Sequence, residues 1–212
     1  MRLKLQYCSL KFTIVKKLLF ISSMALSSFL LHAQHVEFGL KGGLNVGNVK
    51  VKNSPSSYDP RISAHVGGLA HIHLTKEFAI QPEVVFSGQG FKTNSGGNTE
   101  DVTHKLNYLN VPVLVQYMFS NGIRLESGPQ VGFLLSAKED DGSSNRDVKG
   151  GYKDVDFAWA FGAGYLMPSG LGFDARLNLG IAKINENNAI ADRRNGVFQV
   201  GLFYQFKPMR HK

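Results

Sequence analysis

Residues 36–46 have the sequence VEFGLKGGLNV, in which apolar residues alternate with polar residues or glycine. Phe38 and Leu40 fall on one side of an extended chain, whereas Glu37 and Lys41 fall on the other. Alternation with a period of two is typical of a β-strand that lies between an apolar and a polar environment. This segment therefore predicts a strand with one apolar face.

Seven further segments along the chain repeat the same alternation. Their apolar faces begin at Ile62, Phe78, Leu109, Ile123, Val155, Phe173 and Phe198. Eight alternating segments in succession predict an all-β fold of eight strands.

The connections between these segments alternate in length. Short turns occupy residues 75–77, 120–122 and 168–170, and long polar loops occupy roughly residues 48–61, 92–104, 139–151 and 183–195. Long loops at one end and tight turns at the other are typical of an antiparallel up-and-down barrel with an even number of strands. Both ends of the barrel domain are then expected at the short-turn end.

The apolar faces indicate which side of the barrel meets lipid. They are almost free of charge over about ten residues each, and aromatic residues lie near both ends, as in transmembrane barrels. These aromatic residues are Phe78, Tyr117, Phe119, Tyr165, Phe173, Tyr204 and Phe206 at the short-turn end and Phe86, Phe133, Phe157 and Phe198 toward the other. We expect a transmembrane barrel; a soluble eight-stranded barrel is the alternative.

The N-terminal region has the pattern of a secretory signal peptide. Residues 1–17 carry five basic residues and no acidic residue, residues 18–31 are almost continuously apolar, and a small residue follows at Ala33. We therefore assign residues 1–33 to a cleaved signal peptide and residues 34–212 to the barrel domain. An uncleaved anchor is the alternative, although a membrane-spanning helix needs about twenty apolar residues.

Removal of this segment changes the composition. The whole chain has 24 Lys and Arg against 16 Asp and Glu, a net charge of +8, and cleavage leaves 19 against 16, a net charge of +3. It also removes the only cysteine, Cys8. We therefore expect neither a nucleic-acid partner nor a disulfide, and the 23 glycines with 19% charged residues disfavour a charged helical bundle.

Five charged residues fall on the polar faces at a similar height, about four to seven residues from the short-turn end of their strands. They are Lys41, Glu83, Glu126, Asp174 and Arg176. An eight-stranded barrel is just wide enough for its side chains to fill it. We therefore expect a salt-bridged structural layer in the lumen, with a path for protons or small ions as the alternative.

Other chemical candidates are weaker. His65, His71 and His73 point to the lumen from one strand. The pair His71 and His73 could offer two imidazoles to a metal, but the spacing fixes no third ligand of a suitable type. His104, Ser136 and Asp140 lie at the long-loop end and offer the residue types of a hydrolase, yet no motif aligns them. We expect no catalytic, cofactor or metal site.

Three short motifs carry a family resemblance. FGLKGGLN at residues 38–45, YLNVPVL at residues 108–114 and GAGY at residues 162–165 are similar to strands of the PorT-like outer-membrane β-barrel family of Bacteroidota. The resemblance implies an outer-membrane location, contact with outer-membrane lipid and insertion by the barrel-assembly machinery. The founding member of that family serves protein secretion, and the resemblance implies no catalytic residues.

From these observations we expect a monomeric integral outer-membrane protein without catalytic activity. Its role would be structural, or would consist of binding a protein or glycan partner through the extracellular loops or the periplasmic rim, with a link to secretion. A narrow conduit for ions or small molecules is one alternative, and a lipid-modifying enzyme of the outer membrane is the other.

Overall fold

The computed structural model describes residues 36–51, 58–93, 102–185 and 193–206. The predicted signal peptide, residues 1–33, and the basic tail, residues 207–212, lie outside the described residues. Within the described part of the chain, no helix has the length and apolar character needed to cross a membrane.

The described chain folds into eight long strands and one short one. The strands are β1 (Val36–Val51), β2 (Asp59–His73), β3 (Phe78–Thr93), β4 (Val102–Met118), β5 (Ile123–Asp140), β6 (Asn145–Asp147), β7 (Val155–Leu166), β8 (Leu171–Gly180) and β9 (Arg193–Gln205). A single turn of 3-10 helix, Lys149–Gly151, follows β6. The short strand β6 was not among the predicted elements.

All strand pairings are antiparallel, and the eight long strands close into a barrel. Each long strand pairs with the next long strand in sequence, so that β5 pairs with β7. The pairing of β1 with β9 completes the circle. β6 pairs only with the upper part of β5, above the point where β7 takes over as the partner of β5. The predicted all-β, eight-stranded up-and-down barrel is confirmed.

The barrel wall has its apolar face outside and its polar face inside, which is the reverse of a soluble protein. On β1, Phe38 is 63% exposed, whereas Lys41 is 5% exposed. The same arrangement continues around the barrel and forms an exposed surface that we call the apolar band. It includes Phe38, Leu40, Leu44, Val66, Val84, Val113, Val115, Leu125, Phe157, Phe161, Leu177, Val200 and Leu202. Such a surface is stable only when lipid covers it.

Aromatic residues flank the band near the short turns. Phe78 packs on Tyr117 at a centroid distance of 5.1 Å, and Tyr204 packs on Phe206 at 5.4 Å. At the other end, Phe86, Leu109 and Phe133 occupy one register row across β3, β4 and β5. We take this row as the upper limit of the apolar band.

Above this row the strands run further than the sequence patterns predict. β1 continues to Val51, β4 begins at Val102 and β5 continues to Asp140, so the predicted loop bounds near these residues are wrong. The reason is that the outward residues there are polar, which is typical of a loop, while the inward residues are apolar. Leu106, for example, is fully buried between polar neighbours.

Gly90 allows β3 and β4 to stay close in this upper region. Its φ is 126°, and a Cβ atom built on it would lie 2.0 Å from the carbonyl oxygen of His104. No side chain fits at that distance, and residues with a Cβ rarely adopt this φ. The glycine thereby allows the close pairing of β3 with β4 at this level.

Candidate functional site

Arg176 on β8 lies at the centre of the lumen and is almost completely buried. Its Nη1 and Nη2 atoms donate to the two carboxylate oxygens of Glu83 at 2.8 and 2.9 Å, and its Nε donates to Glu126 Oε1 at 2.7 Å. A guanidinium suits this role because its planar donors match a carboxylate in a two-pronged geometry. One side chain thus joins β3, β5 and β8 across the barrel.

Lys41 on β1 completes this group of charges. Its Nζ lies 2.9 Å from Asp174 Oδ2 and 3.4 Å from Glu83 Oε2. The structure therefore places the five residues listed from the sequence in one ion-paired group, which we call the charge layer: Lys41, Glu83, Glu126, Asp174 and Arg176. Each charge has a partner, as buried charges require.

Two glutamines support the charge layer, and the sequence interpretation did not single them out. Gln81 Nε2 donates to Glu83 Oε1 at 2.8 Å, and Gln116 Nε2 donates to Glu126 Oε2 at 2.8 Å. Both are buried. Their position on the inward face was visible in the alternation, but an uncharged amide gave no reason to prefer them over other polar residues.

A second polar group lies next to the charge layer, toward the long loops. Asn45 Nδ2 donates to Ser87 Oγ at 3.0 Å, and Asn45 Oδ1 accepts from Gln199 Nε2 at 2.8 Å. Gln199 in turn accepts from Asn178 Nδ2 at 2.7 Å, while His65 Nδ1 lies 2.7 Å from Asn45 Oδ1. These hydrogen bonds join β1, β2, β3, β8 and β9 inside the barrel.

The three histidines of β2 do not converge on a metal site. His65 is held by Asn45, whereas His71 is fully buried with its Nδ1 3.1 Å from Gln81 Oε1. The rings of His71 and His73 pack edge to face at a centroid distance of 4.6 Å. Across the residues that the structure describes, no group of three or more His, Cys, Asp or Glu side chains could hold a metal ion.

Apolar side chains fill the inside of the barrel at the long-loop end. We call this group the apolar cap; it consists of Val49, Phe91, Leu106, Tyr108, Leu134, Ala137, Tyr152 and Ile184. His104 stacks on Phe91 at a centroid distance of 4.4 Å and an angle of 15°. The sequence interpretation missed this group, because two of its members lie in segments that were assigned to loops.

Tyr152 and Ile184 reach the cap from outside the strands. Tyr152 follows the 3-10 turn, forms an isolated bridge with Asn185, and places its hydroxyl 3.3 Å from His104 Nδ1. Burial raises the pKa of the Tyr152 hydroxyl further above its ordinary value. The segment between β5 and β7 thereby contributes Tyr152 to the apolar cap.

The residues considered for hydrolysis are not assembled into a site. His104 points into the apolar cap, whereas Ser136 accepts a hydrogen bond from Asn107 on the outer face of the sheet at 3.0 Å. Asp140 pairs with Lys105. The His104 imidazole and the Ser136 hydroxyl thus lie on opposite faces of the barrel wall. In this arrangement they cannot form the hydrogen bond that proton transfer between them requires.

Comparison with known proteins extends these observations. The family model described as outer membrane protein beta-barrel domain matches residues 32–186. No curated protein matches the chain by sequence. Among solved structures, Neisserial surface protein A is similar at 13% identity, with 82% of this chain and 100% of that chain covered and a TM-score of 0.53.

Two further structures are similar at lower TM-scores. Ail of Yersinia pestis has 13% identity and a TM-score of 0.46, with 82% of this chain and 100% of that chain covered. OprG of Pseudomonas aeruginosa has 10% identity and a TM-score of 0.40, with 80% of this chain and 95% of that chain covered.

The family match, together with the closed barrel and its apolar band, leads to one conclusion: the chain belongs to the outer membrane protein β-barrel domain family and resides in the outer membrane.

Proposed function

We propose that this protein is a non-catalytic integral outer-membrane protein that binds a protein or glycan partner through its surface at the long-loop end. The observation that supports this proposal most directly is the apolar cap. It packs apolar side chains inside the long-loop end, above the ion-paired charge layer, and this arrangement favours a role at the outer surface over a wetted passage. The outer surface of the barrel end is then the part available for function.

The long-loop end of outer-membrane barrels faces the outside of the cell. Its most exposed described part is the β5–β6 hairpin. Asn145, Arg146 and Asp147 are all exposed, and β6 stands above the apolar band on the upper part of β5. Charges of both signs beside amide and hydroxyl groups suit a polar partner, and not a lipid tail.

The resemblance to PorT-like barrels supports a finer proposal. The motifs at residues 38–45, 108–114 and 162–165 are similar to strands of that family, so a secretion component of the same membrane is the first partner to test. The assembly machinery would act only during insertion, and we propose a monomer in the mature state.

Site-specific photocrosslinking in whole cells tests the partner proposal. A crosslinking residue at Arg146, on the exposed hairpin, should give a discrete larger species that depends on the partner. The same residue at Lys76, in a short turn at the opposite end, is the matched control. Equal crosslinking at both positions, or none at position 146, would contradict binding through the long-loop end.

Planar-bilayer recording separates this proposal from the conduit. We expect no reproducible single-channel steps from the wild-type barrel, because the charge layer is paired and the cap is apolar. Ion-selective steps that change in Glu126→Gln would establish the conduit instead. Modification of outer-membrane lipid that depends on His104 would establish the enzyme.

A further inference from the structure

Two lysines face each other on the outer surface of the barrel wall. Lys105 on β4 and Lys138 on β5 are register partners, and Lys138 is exposed. Asn107 and Ser136, the neighbouring register pair toward the membrane, are hydrogen-bonded on the outer face at 3.0 Å. Because side chains two residues apart along a strand point to the same side, both lysines also face outward. We call them the lysine pair.

The lysine pair is unfavourable within the chain itself. Like charges directly opposite each other on neighbouring strands destabilise a sheet. Lys105 is compensated by Asp140. Lys138 is not: Asp147, its register partner on β6, instead accepts a hydrogen bond from the backbone N–H of Lys149 at 2.9 Å. Among the residues that the structure describes, no carboxylate forms an ion pair with Lys138.

The lysine pair lies directly above the surface that lipid covers. The row of Phe86, Leu109 and Phe133 is the upper limit of the apolar band. Lys105 is four residues from Leu109 on β4, which in a strand tilted by about 40° corresponds to roughly 10 Å along the membrane normal. The headgroup layer of one leaflet is about 5–7 Å thick. Lysine side chains bend back toward such a layer, because their stems are long and flexible.

A β-bulge extends the apolar surface toward the lysine pair. The register of β5 against β4 shifts by one residue at this level, and Leu135 is the extra residue. Leu135 is 49% exposed, although it lies above Phe133 in the limiting row. Bulges are frequent at the rims of barrels, where they redirect side chains. Leu135 thereby adds an exposed apolar contact between the apolar band and Lys138.

We propose that the lysine pair and Leu135 bind one phosphorylated lipid of the outer leaflet. The lipid phosphate would lie between the two ammonium groups and replace their repulsion by charge-assisted contacts. The acyl chains would run down the outer face along Leu135 and Phe133. A lipid phosphate fits this position better than a soluble anion, because the apolar band continues directly below the pair. The site is on the side of the wall and is therefore separate from the partner surface proposed at the loop end.

A lipid-binding measurement tests the proposal. The barrel, refolded in a neutral detergent, is mixed with lipid A, a glycolipid that carries two phosphates, or with the same lipid after dephosphorylation. Native mass spectrometry measures the fraction of protein with one bound lipid. We expect binding to weaken about 25-fold on dephosphorylation, since each basic residue near an anionic lipid surface contributes about fivefold. Inorganic phosphate in millimolar excess should not displace the lipid.

Three single variants locate the site, and each removes one positive charge from the long-loop end. Lys105→Gln and Lys138→Gln should each weaken the binding of lipid A about fivefold. Arg146→Gln is the matched control and should leave binding unchanged. Arg146 is exposed on β6, but its register partner Glu139 pairs with His104, which faces the lumen, so Arg146 lies on the other face of the sheet.

Thermal unfolding separates lipid binding from a structural role of Lys138. In neutral detergent without added lipid, Lys138→Gln should unfold at the same temperature as the wild type or at a higher one, because the variant removes a like-charge contact. Lipid A should then raise the unfolding temperature of the wild type more than that of the variant, because a ligand stabilises the state that binds it.

Equal binding of lipid A before and after dephosphorylation would overturn the proposal, and so would equal losses of binding in all three single variants. Displacement of the lipid by inorganic phosphate would also overturn it, since the pair would then be a site for a soluble anion. A lower unfolding temperature of Lys138→Gln in neutral detergent would show that Lys138 serves a contact within the chain instead. The crosslinking test at position 146 does not involve the lysine pair, so the two proposals can fail separately.

Discussion

The charge layer and the apolar cap occupy two levels of one barrel and have opposite chemistry. At the level of the charge layer, Val113 on β4 points outward and Gln116 points inward. Several residues earlier on the same strand, toward the long loops, polar Asn107 points outward and apolar Leu106 points inward. The barrel wall is continuous through both levels. The strand structure itself therefore does not explain why polar and apolar residues exchange faces between them.

The comparison teaches that the surrounding medium sets the chemistry of each face. Where lipid covers the outside, apolar residues face outward and polar groups must pair inside, because neither lipid nor a narrow lumen can solvate them. Where water covers the outside, the hydrophobic effect favours apolar residues on the inner face, as in the core of a soluble protein. Lys105, which pairs with Asp140 on the outer face, marks the change on β4.

The first prediction concerns a variant that removes the central cation of the charge layer. Arg176→Met should lower the free energy of unfolding by about 3–5 kcal/mol, because Glu83 and Glu126 lose the partner that compensates their buried charges. Urea unfolding in detergent micelles measures this loss. Arg146→Met, on exposed β6, is the matched control and should have little effect. A loss below about 1 kcal/mol at position 176 would mean that water reaches the layer.

The second prediction sharpens the boundary between the two levels. Val113→Arg places a charge on the outer face within the apolar band and should cost about 2–4 kcal/mol in a lipid bilayer. Asn107→Arg, on the same strand and the same face, should cost about 0–1 kcal/mol. Equal costs would contradict the position of the band limit at Leu109. Unfolding in lipid vesicles compares the two variants.

The third prediction concerns the interior of the cap. Leu106→Ala should lower the free energy of unfolding by about 2–3 kcal/mol, since it removes a buried side chain and leaves a cavity. Asn107→Ala, one residue away on the water-facing side, is the control. Hydrogen exchange should show the increase in opening at the long-loop end of β3 and β4. A uniform increase around the barrel would instead indicate that cap and layer unfold together.

The smallest effect is expected from a single hydroxyl. Tyr152→Phe keeps the ring in the cap and removes only the interaction with His104, so a loss of about 1 kcal/mol is expected. Tyr152→Ala also removes the ring and should cost clearly more. Thermal unfolding in detergent ranks the two variants. If both variants unfold at the same temperature as the wild type, the segment that carries Tyr152 does not seal the barrel.

Much of the layer was accessible to sequence reasoning, and little of the cap was. Lys41 and Glu83 are charged residues on faces that alternation defines, so their common height could be counted along each strand. Phe91 and Leu106 also alternate correctly, but with polar outward neighbours they resemble loop residues. Tyr152 and Ile184 lie outside any periodic segment, and no local pattern connects them to the strands.

By itself, the sequence determined the number of long strands, the alternation of short and long connections, and the apolar face that lipid covers. These are local properties, because a period of two and turn-forming residues can be recognised within a few positions. Only the tertiary structure decided which charges meet and which apolar side chains pack inside the barrel at the long-loop end. Arg176 and Glu83 are 93 residues apart in the chain, and their contact exists only when the sheet closes on itself.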